Sequence, residues 1–187
     1  MKKGLEIQGG SRKGHKIKAP KGIRPTRALL KRSLFDRLGS WIVGVRMLEL
    51  YAGSGAVGLE ALSRGADSVL FVENSRQAAL TIKENIKFLG YSDRARVIKG
   101  KVEKALRELA ANGEKFDFVF ADPPYKFTRL EELLELVADV LSEDGVFVLE
   151  THKKTPPPKS RKLKLQKEAR IGDTILRFYH RDLSGDL

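Results

Sequence analysis

The sequence predicts an α/β fold with a seven-stranded, mostly parallel sheet and an antiparallel C-terminal edge. From about residue 46 onward, short apolar runs alternate with amphipathic helical patterns. The first five runs are apolar throughout, which is typical of parallel strands that helices cover on both faces. The last two runs alternate apolar with polar residues and have no helix between them, so they predict antiparallel edge strands.

The 187 residues predict one main domain over 23–187, preceded by a small basic β-hairpin extension over 1–22. The apolar and turn residues of this hairpin are Leu5, Ile7, Gly9, Gly10 and Ile17. A helix follows, with Thr26 as its predicted N-cap and Gly39 as its predicted end. Leu30, Leu34 and Leu38 share one face of that helix. Trp41, in the linker that follows, is interpreted as a packing residue.

The remaining elements follow in order along the chain. The parallel strands are predicted at 47–50, 69–72, 95–98, 118–121 and 146–149. Helices are predicted between them, at about 57–64, 75–89, 102–111 and 129–140. Two further strands, 163–165 and 175–179, are joined near Gly172 and Asp173, and prolines 156–158 predict an exposed loop.

Composition excludes several classes of function. The chain has no cysteine, so it has no disulfide, no thiolate metal ligand and no cysteine nucleophile. His15, His152 and His180 share no metal-ligand spacing, and we expect no metal site. No apolar run approaches the roughly 20 residues of a membrane span, and the N-terminus does not resemble a secretory signal. We therefore expect a cytoplasmic protein without a membrane partner.

Positive charge is concentrated at the two ends of the chain. The net charge is +12, of which residues 1–47 carry +11, residues 48–150 carry −5 and residues 151–187 carry +6. Basic ends on a near-neutral body predict a polyanionic partner, with nucleic acid ahead of membrane, although solubilising lysines would give the same count. The best candidates for phosphate contacts are Arg12, Lys13, Lys16, Lys18, Lys21, Arg24 and Arg27.

A glycine loop follows the first strand of the predicted sheet. Gly53, Gly55 and Gly58 match the G-x-G-x-x-G pattern between a strand and a helix, where glycines allow a tight turn and close approach to a ligand. About twenty residues on, Glu73 ends the second strand, where a carboxylate can accept both ribose hydroxyls of an adenosine. A tight turn without any ligand and an NAD(H) site remain alternatives.

Glu49 favours a sulfonium ligand over a dinucleotide. It lies four residues before Gly53, beside the loop, where its carboxylate would repel a pyrophosphate and suit the cationic amino-acid end of S-adenosylmethionine. The predicted cofactor is therefore S-adenosylmethionine. The pattern E-x-x-x-G-x-G resembles the cofactor loop of class I methyltransferases, whose Rossmann-like fold matches the predicted sheet. The residues assigned to the cofactor are Glu49, Tyr51, Ala52, Gly53, Ser54, Gly55, Glu73, Asn74 and Val102.

The tetrapeptide Asp122-Pro123-Pro124-Tyr125, directly after the fourth strand, is the most specific feature of the chain. Two prolines fix φ and remove two backbone donors, so the segment presents acceptors: the Asp122 carboxylate and the Pro123 carbonyl. These acceptors suit the exocyclic amine of a base, and Tyr125 can stack on its ring. We expect these four residues to be catalytic, with direct methyl transfer to an amine. A rigid turn with Tyr125 in the core is the structural alternative.

Four segments of the chain resemble RsmD-type bacterial 16S rRNA guanine-N2 methyltransferases. The segments are LEIQGGSRKG at 5–14, Arg24-Pro25-Thr26 followed by Leu34-Phe35, LELYAGSGAVGLEALSRGA at 48–66, and FDFVFADPPY at 116–125. The resemblance implies methylation of the N2 amine of one guanine, at position 966, in 16S rRNA or a 30S assembly intermediate. It also implies that Glu49, Gly53 and Gly55 line the methionine end, Glu73 the ribose, and 122–125 the guanine.

Two departures from the family pattern bear on contacts. The segment after Thr26 reads RALLKR where the family reads like TDRVRE. Lys101 stands where many class I enzymes carry an acceptor for the adenine amine, and a lysine cannot accept a hydrogen bond. We therefore expect backbone groups around Val102, or Glu103, to recognise adenine.

Other functions remain open on the sequence alone. The same tetrapeptide serves enzymes that methylate DNA adenine or cytosine or a protein glutamine, although the DNA enzymes usually carry a larger recognition region. A non-catalytic RNA-binding assembly factor that retains the fold is the alternative of another class. We expect the protein to act as a monomer.

Overall fold

The computed structural model describes residues 5–22 and 28–182. Three segments lie outside the described residues: 1–4, 23–27 and 183–187. The predicted N-cap Thr26 and the predicted phosphate contacts Arg24 and Arg27 fall in the second of these segments. The chain forms two compact units, and the boundary falls between Val102 and Glu103. The predicted division at residue 22 stays a prediction.

The first unit is a three-stranded parallel sheet with a hairpin and helices. Its strands are β1 (Leu5–Glu6), β2 (Lys16–Ile17), β3 (Arg46–Leu50), β4 (Ser68–Glu73) and β5 (Ala95–Lys99). Its helices are α1 (Ala28–Leu38), α2 (Ala56–Ser63) and α3 (Arg76–Leu89); α4 (Val102–Ala111) starts at its end. β1 and β2 pair antiparallel, and β3, β4 and β5 pair parallel in the order β5-β4-β3.

Local chemistry explains where α3 begins and ends. The Ser75 side chain accepts a hydrogen bond from the Ala78 amide at 3.3 Å, which satisfies one of the free donors of the first turn. Gly90 ends the helix in the left-handed conformation, with φ of 77°. The buried residues Ala78, Ile82 and Ile86 recur at helical spacing and face the core.

The hairpin packs into the first unit through apolar side chains and through α2. Ile7 and Ile17 are buried. The fully buried Glu60 carboxylate of α2 accepts from the Gln8 amide at 2.8 Å and pairs with Lys31 at 2.9 Å and Arg64 at 2.8 Å. A buried carboxylate requires such partners because desolvation penalises the charge heavily. The hairpin is therefore fastened to the helix that follows the glycine loop.

The second unit contains a four-stranded mixed sheet. Its elements are β6 (Phe116–Ala121), α5 (Leu130–Ala138), β7 (Leu141–His152), β8 (Leu163–Ile171) and β9 (Thr174–Arg181), with the rest of α4. The strand order is β6-β7-β9-β8; β6 and β7 run parallel, whereas β9 is antiparallel to both β7 and β8. The predicted fold class, with its antiparallel C-terminal edge and N-terminal hairpin, is confirmed.

Three local predictions need correction. β8 has nine residues rather than three, because Lys167–Ile171 pair with β9 although their exposed face is charged. Pro158 is buried, and its carbonyl accepts from the Tyr179 hydroxyl at 3.2 Å, so the proline loop is only partly exposed. Trp41 is 38% exposed and therefore packs less completely than expected. Within the described part of the chain, every helix is too short or too polar to cross a membrane.

Candidate active site

The glycine loop (residues 51–58) leaves β3 in a conformation that few side chains adopt. Tyr51, Gly53 and Gly55 have φ of 54°, 57° and 72°. Among the described residues, Tyr51 is the one non-glycine with positive φ, and an aromatic residue there is strained. The Gly55 amide donates to the Ala52 carbonyl at 2.7 Å, which closes the turn immediately before α2. The loop therefore presents its backbone at the carboxyl end of the parallel strands.

Glu49 binds the first turn of α2. Its side chain is buried, and its carboxylate accepts from the Gly58 amide at 2.7 Å. A negative charge at a helix N-terminus is favourable because free N–H groups and the helix dipole meet there. A Cβ on Gly58 would lie 2.5 Å from Phe71 Cε1 and 2.7 Å from a Glu49 oxygen. Gly58 is therefore required by close packing between α2 and the sheet.

Glu73 holds the other side of the loop. Its two oxygens accept from the Gly53 amide at 2.7 Å and from the Ser75 amide at 2.7 Å. A carboxylate has about four acceptor positions, so each oxygen retains capacity for a ribose hydroxyl. The residues present thus fit the predicted cofactor: Glu73 can accept from a ribose, and the loop backbone can approach a ligand closely.

The other predicted cofactor residues differ in accessibility. Ala52, Ser54 and Val102 are buried, so their backbone groups are the parts suited to a ligand. Asn74 and Lys101 are exposed. Glu103 forms an ion pair with Arg129 at 3.3 Å. All of these assignments stay predictions.

The second unit contains an open cleft at the carboxyl ends of β6 and β7. Its lining includes the whole predicted catalytic tetrapeptide, and the other residues are Phe127, Leu130, Glu150, Thr151, His152, Thr155 and Thr174. The Phe127 amide donates to the Pro124 carbonyl at 2.8 Å and turns the chain after the tetrapeptide. Pro123 is buried, whereas Tyr125 is 67% exposed, which argues against the interpretation of Tyr125 as a core residue.

His152 is a cleft residue that the sequence analysis did not assign. Its ring contacts the Tyr125 ring edge-on, with centroids 6.1 Å apart and planes at 75°. Its Nδ1 accepts from the Lys154 amide at 3.1 Å, so in the neutral ring the proton is on Nε2. The only sequence signal was its place just after the end of an apolar strand.

The wall behind the cleft is organised by a buried arginine. Arg177 on β9 donates to the Thr151 hydroxyl, to the Thr155 carbonyl at 2.6 Å and to Glu168 at 2.7 Å. Thr151 and Thr155 both line the cleft. A guanidinium presents several donors in a fixed plane, so one side chain fixes both positions.

The predicted RNA-contact residues divide into two groups. Arg12 donates to the Leu89 carbonyl at 2.9 Å and lies over the Tyr91 ring, so its side chain is already engaged within the protein. Lys13, Lys16, Lys18 and Lys21 are exposed. Lys18 forms a surface ion pair with Glu84 at 2.8 Å. The assignment of these residues to RNA stays a prediction.

Known proteins are similar to this chain over most of its length. The Bacillus subtilis protein YlbH is 38% identical over 160 residues, covering 83% of this chain and 87% of YlbH. The ribosomal RNA small subunit methyltransferase D of Escherichia coli is 32% identical over 187 residues, covering 97% and 92%. The solved structure of the Escherichia coli protein yhhF has a TM-score of 0.85 at 32% identity and covers 95% of this chain and 98% of its own.

The fold is that of a class I methyltransferase, the class that uses S-adenosylmethionine as methyl donor. Together with relatives named as rRNA methyltransferases, it confirms the predicted enzyme class and cofactor. A family model described as Conserved hypothetical protein 95 matches residues 5–180, and the chain belongs to that family. The resemblance to RsmD-type methyltransferases is also confirmed.

Proposed function

We propose that this protein methylates the exocyclic N2 amine of a guanine in 16S rRNA, at position 966, with S-adenosylmethionine as the donor. The observation that carries this proposal is the cleft in which residues 122–125 meet the carboxyl end of β7. Relatives named as ribosomal RNA small subunit methyltransferases support rRNA as the substrate. The exposed lysines of the hairpin support a polyanion as the partner.

The first unit provides the groups that would hold the donor. Glu73 would accept from the ribose hydroxyls, and the backbone from Tyr51 to Gly55 would approach the methionine end. Glu49 would place negative charge near the donor's amino group while it keeps the Gly58 amide satisfied. When bound, S-adenosylmethionine supplies an electrophilic methyl group on a sulfonium.

The second unit provides the groups that would hold the base. The amine of guanine is a poor nucleophile because its lone pair is delocalised into the ring. The Asp122 carboxylate and the Pro123 carbonyl would accept its two N–H bonds and favour a more pyramidal nitrogen. The Asp122 carboxylate would stabilise the positive charge that the nitrogen acquires with the methyl group, until the amine releases one N–H proton to solvent. The donor would leave as S-adenosylhomocysteine. Tyr125, which is exposed, would stack on the ring of a base turned out of its helix.

The decisive experiment compares two aspartates of the same strand segment. Purified Asp122→Ala should transfer radiolabelled methyl to 16S rRNA about 10²–10³-fold more slowly than wild type, since it loses a preorganised group at the developing charge. Its affinity for S-adenosylmethionine should stay unchanged. Asp117→Ala is the matched control, because Asp117 lies at the start of β6 and accepts from Ser142 at 3.1 Å.

The product identifies the target. Mass spectrometry of rRNA from cells with and without the gene should show one guanine whose N2 methyl is lost. An Asp122→Ala enzyme within tenfold of wild type would contradict the role of Asp122. Methylation of DNA or of a protein glutamine instead of rRNA, or RNA binding without any transfer, would contradict the proposed substrate or the proposed catalysis. The radiolabelled methyl-transfer assay, run with naked 16S rRNA and with a 30S assembly intermediate, shows which of the two is the better substrate.

A further inference from the structure

An aromatic pair is exposed on the first unit, far along α3 from the glycine loop. Phe88 is 66% exposed, and its ring meets that of His15 at a centroid distance of 6.3 Å with planes at 60°. Exposed single apolar residues are common, but an exposed phenylalanine beside a second ring offers π-surface to a ligand. Neither ring contributes to the core.

The hairpin fixes the position of His15. Its Nδ1 donates to the Arg12 carbonyl at 2.9 Å, since a carbonyl oxygen can only accept. The His15 carbonyl in turn accepts from the Ile7 amide at 2.9 Å, and Ile7 is buried. The imidazole is therefore held against Phe88 before any ligand arrives. A preformed surface binds with a smaller loss of conformational entropy than a flexible one.

The chain after His15 runs along α3 towards the start of that helix. The Lys18 backbone amide donates to Asn85 Oδ1 at 2.9 Å, and the Lys18 carbonyl accepts from Asn85 Nδ2 at 3.0 Å. The Lys18 ammonium lies 2.8 Å from a Glu84 carboxylate oxygen. His15 therefore contacts α3 at Phe88, and Lys18 contacts it about one turn earlier, at Asn85 and Glu84. The exposed lysines of the hairpin and of the chain that follows it are Lys13, Lys16, Lys18 and Lys21, and Lys18 pairs with the acidic Glu84.

We propose that the His15–Phe88 pair is a stacking subsite for a base of single-stranded RNA that flanks the methylated guanine. The hairpin lysines would follow the phosphates next to it. Grooves that combine cations with aromatic rings suit single strands, because every base has a π-face and every nucleotide a phosphate. The subsite rests on the proposed function, in which RNA is the substrate.

The bound base must differ from the methylated one. Phe88 lies twelve residues after Arg76, the first residue of α3, which corresponds to roughly 18 Å of helix. The start of α3 follows Glu73 at the cofactor edge. The methylated guanine is assigned to the tetrapeptide cleft and not to this helix, so the subsite takes a different base, a neighbour in sequence or in the folded RNA.

The test measures binding of a fluorescently labelled single-stranded fragment of 16S rRNA that contains the target guanine. Phe88→Ala should weaken binding about tenfold, the scale of one lost base–aromatic stack. Phe88→Tyr keeps a ring and should bind like wild type. Leu80→Ala is the matched control, because Leu80 is 51% exposed on the same helix and is aliphatic. In all three variants the melting temperature and the affinity for S-adenosylmethionine should stay unchanged.

Kinetics and salt dependence separate stacking from charge. For Phe88→Ala, KM for RNA should rise with kcat unchanged, and the dependence of affinity on salt should keep its slope. Lys16→Gln and Lys21→Gln should each reduce that slope by about one. These results distinguish a base-stacking role from a general loss of RNA attraction.

Three results would overturn the subsite. The first is an affinity of Phe88→Ala within twofold of wild type, and the second is an equal loss in Phe88→Tyr. The third is a loss confined to protein-containing ribosomal particles, which would assign the surface to a protein partner. If the wild-type enzyme methylates no rRNA while RNA binding still depends on Phe88, the proposed function fails and the stacking subsite stands.

Discussion

The glycine-loop edge of the first unit and the cleft of the second unit solve different physical problems. At the glycine-loop edge, Glu49 and Glu73 accept hydrogen bonds from loop and helix amides. Phe71 and Glu49 lie so close to Gly58 that a Cβ atom there would collide with them. In the cleft, Tyr125 is exposed, and the proposed acceptors are the Asp122 carboxylate and the Pro123 carbonyl of the tetrapeptide that lines it. The first region depends on backbone clearance, whereas the second depends on the identity of its side chains.

This difference has a consequence for mutation. Changes at the glycine-loop edge should reduce stability and cofactor binding together, because the same contacts serve both. Changes at the front of the cleft should reduce catalysis with little effect on stability, because exposed side chains contribute little to packing. Changes in the wall behind the cleft, which contains Arg177, should reduce both stability and catalysis.

The largest expected effect in this comparison is that of Gly58→Ala. The new methyl group would collide with Phe71 and Glu49, and overpacking of this kind costs about 3 kcal/mol. Chemical denaturation should show that loss, and titration with S-adenosylmethionine should show weaker binding.

Gly100→Ala is the control for that variant, since its Cβ would have no neighbour closer than 3.9 Å. Its unfolding free energy should stay within about 0.5 kcal/mol of wild type. A Gly58→Ala protein with normal stability and lost cofactor binding would contradict the prediction that the same contacts at the glycine-loop edge serve both stability and cofactor binding.

The next effect tests the wall of the cleft. Arg177→Met should lower the free energy of unfolding by about 2 kcal/mol, because Thr155 and Thr151 lose a charged donor while the half-exposed Glu168 regains water. The methyl-transfer rate should fall with it. Arg170→Met, at an exposed site on β8, should leave both quantities unchanged. An Arg177→Met enzyme with the stability and rate of wild type would show that the hydrogen bonds from Arg177 to Thr151 and Thr155 are not required to maintain the cleft.

The smallest effect is a pH dependence of Tyr179, two residues after Arg177 on β9. Burial raises the pKa of Tyr179 from 10.0 to about 12, with Arg177 opposing and Glu168 adding to the shift. The unfolded chain therefore loses this proton first, and the stability that Tyr179 contributes is complete below pH 10 and declines as the pH rises towards 12. We expect a loss of about 1 kcal/mol near pH 11.

Tyr179→Phe removes the titrating group and should flatten the stability curve in that range relative to wild type. Phenolate absorbance during the titration identifies the group directly. Identical curves for the two proteins would show that Tyr179 ionises as readily in the folded chain as in the unfolded one.

Much of the fold followed from local pattern. The apolar runs at 69–72 and 118–121 lie inside β4 and β6, and the glycine spacing located the loop. These features depend on residues close together in sequence. The two-residue turn at Gly172 and Asp173 was predicted for the same reason, since a glycine accepts the positive φ of 62° found there.

What could not be predicted depends on partners distant in sequence. The placement of His152 against Tyr125 requires two strands to end at the same edge of the sheet. The hydrogen bond from Arg177 to Thr151 joins β9 to β7 across 26 residues of sequence that include all of β8. β8 was underestimated because an edge strand needs only one apolar face, so its charged residues resembled a loop. The buried ion pair of Lys31 with Glu60 joins two helices, and nothing in the sequence around either residue indicates it.

The Glu60 carboxylate also determines how the N-terminal segment can evolve or be trimmed. A shortened chain without Gln8 would leave that anion with fewer partners and would uncover the apolar surface under Ile7. Removal of the basic segment should therefore destabilise the folded body itself, in addition to removing the proposed RNA contacts. A tag or fusion at this terminus is safest when it leaves the chain from Leu5 onward intact.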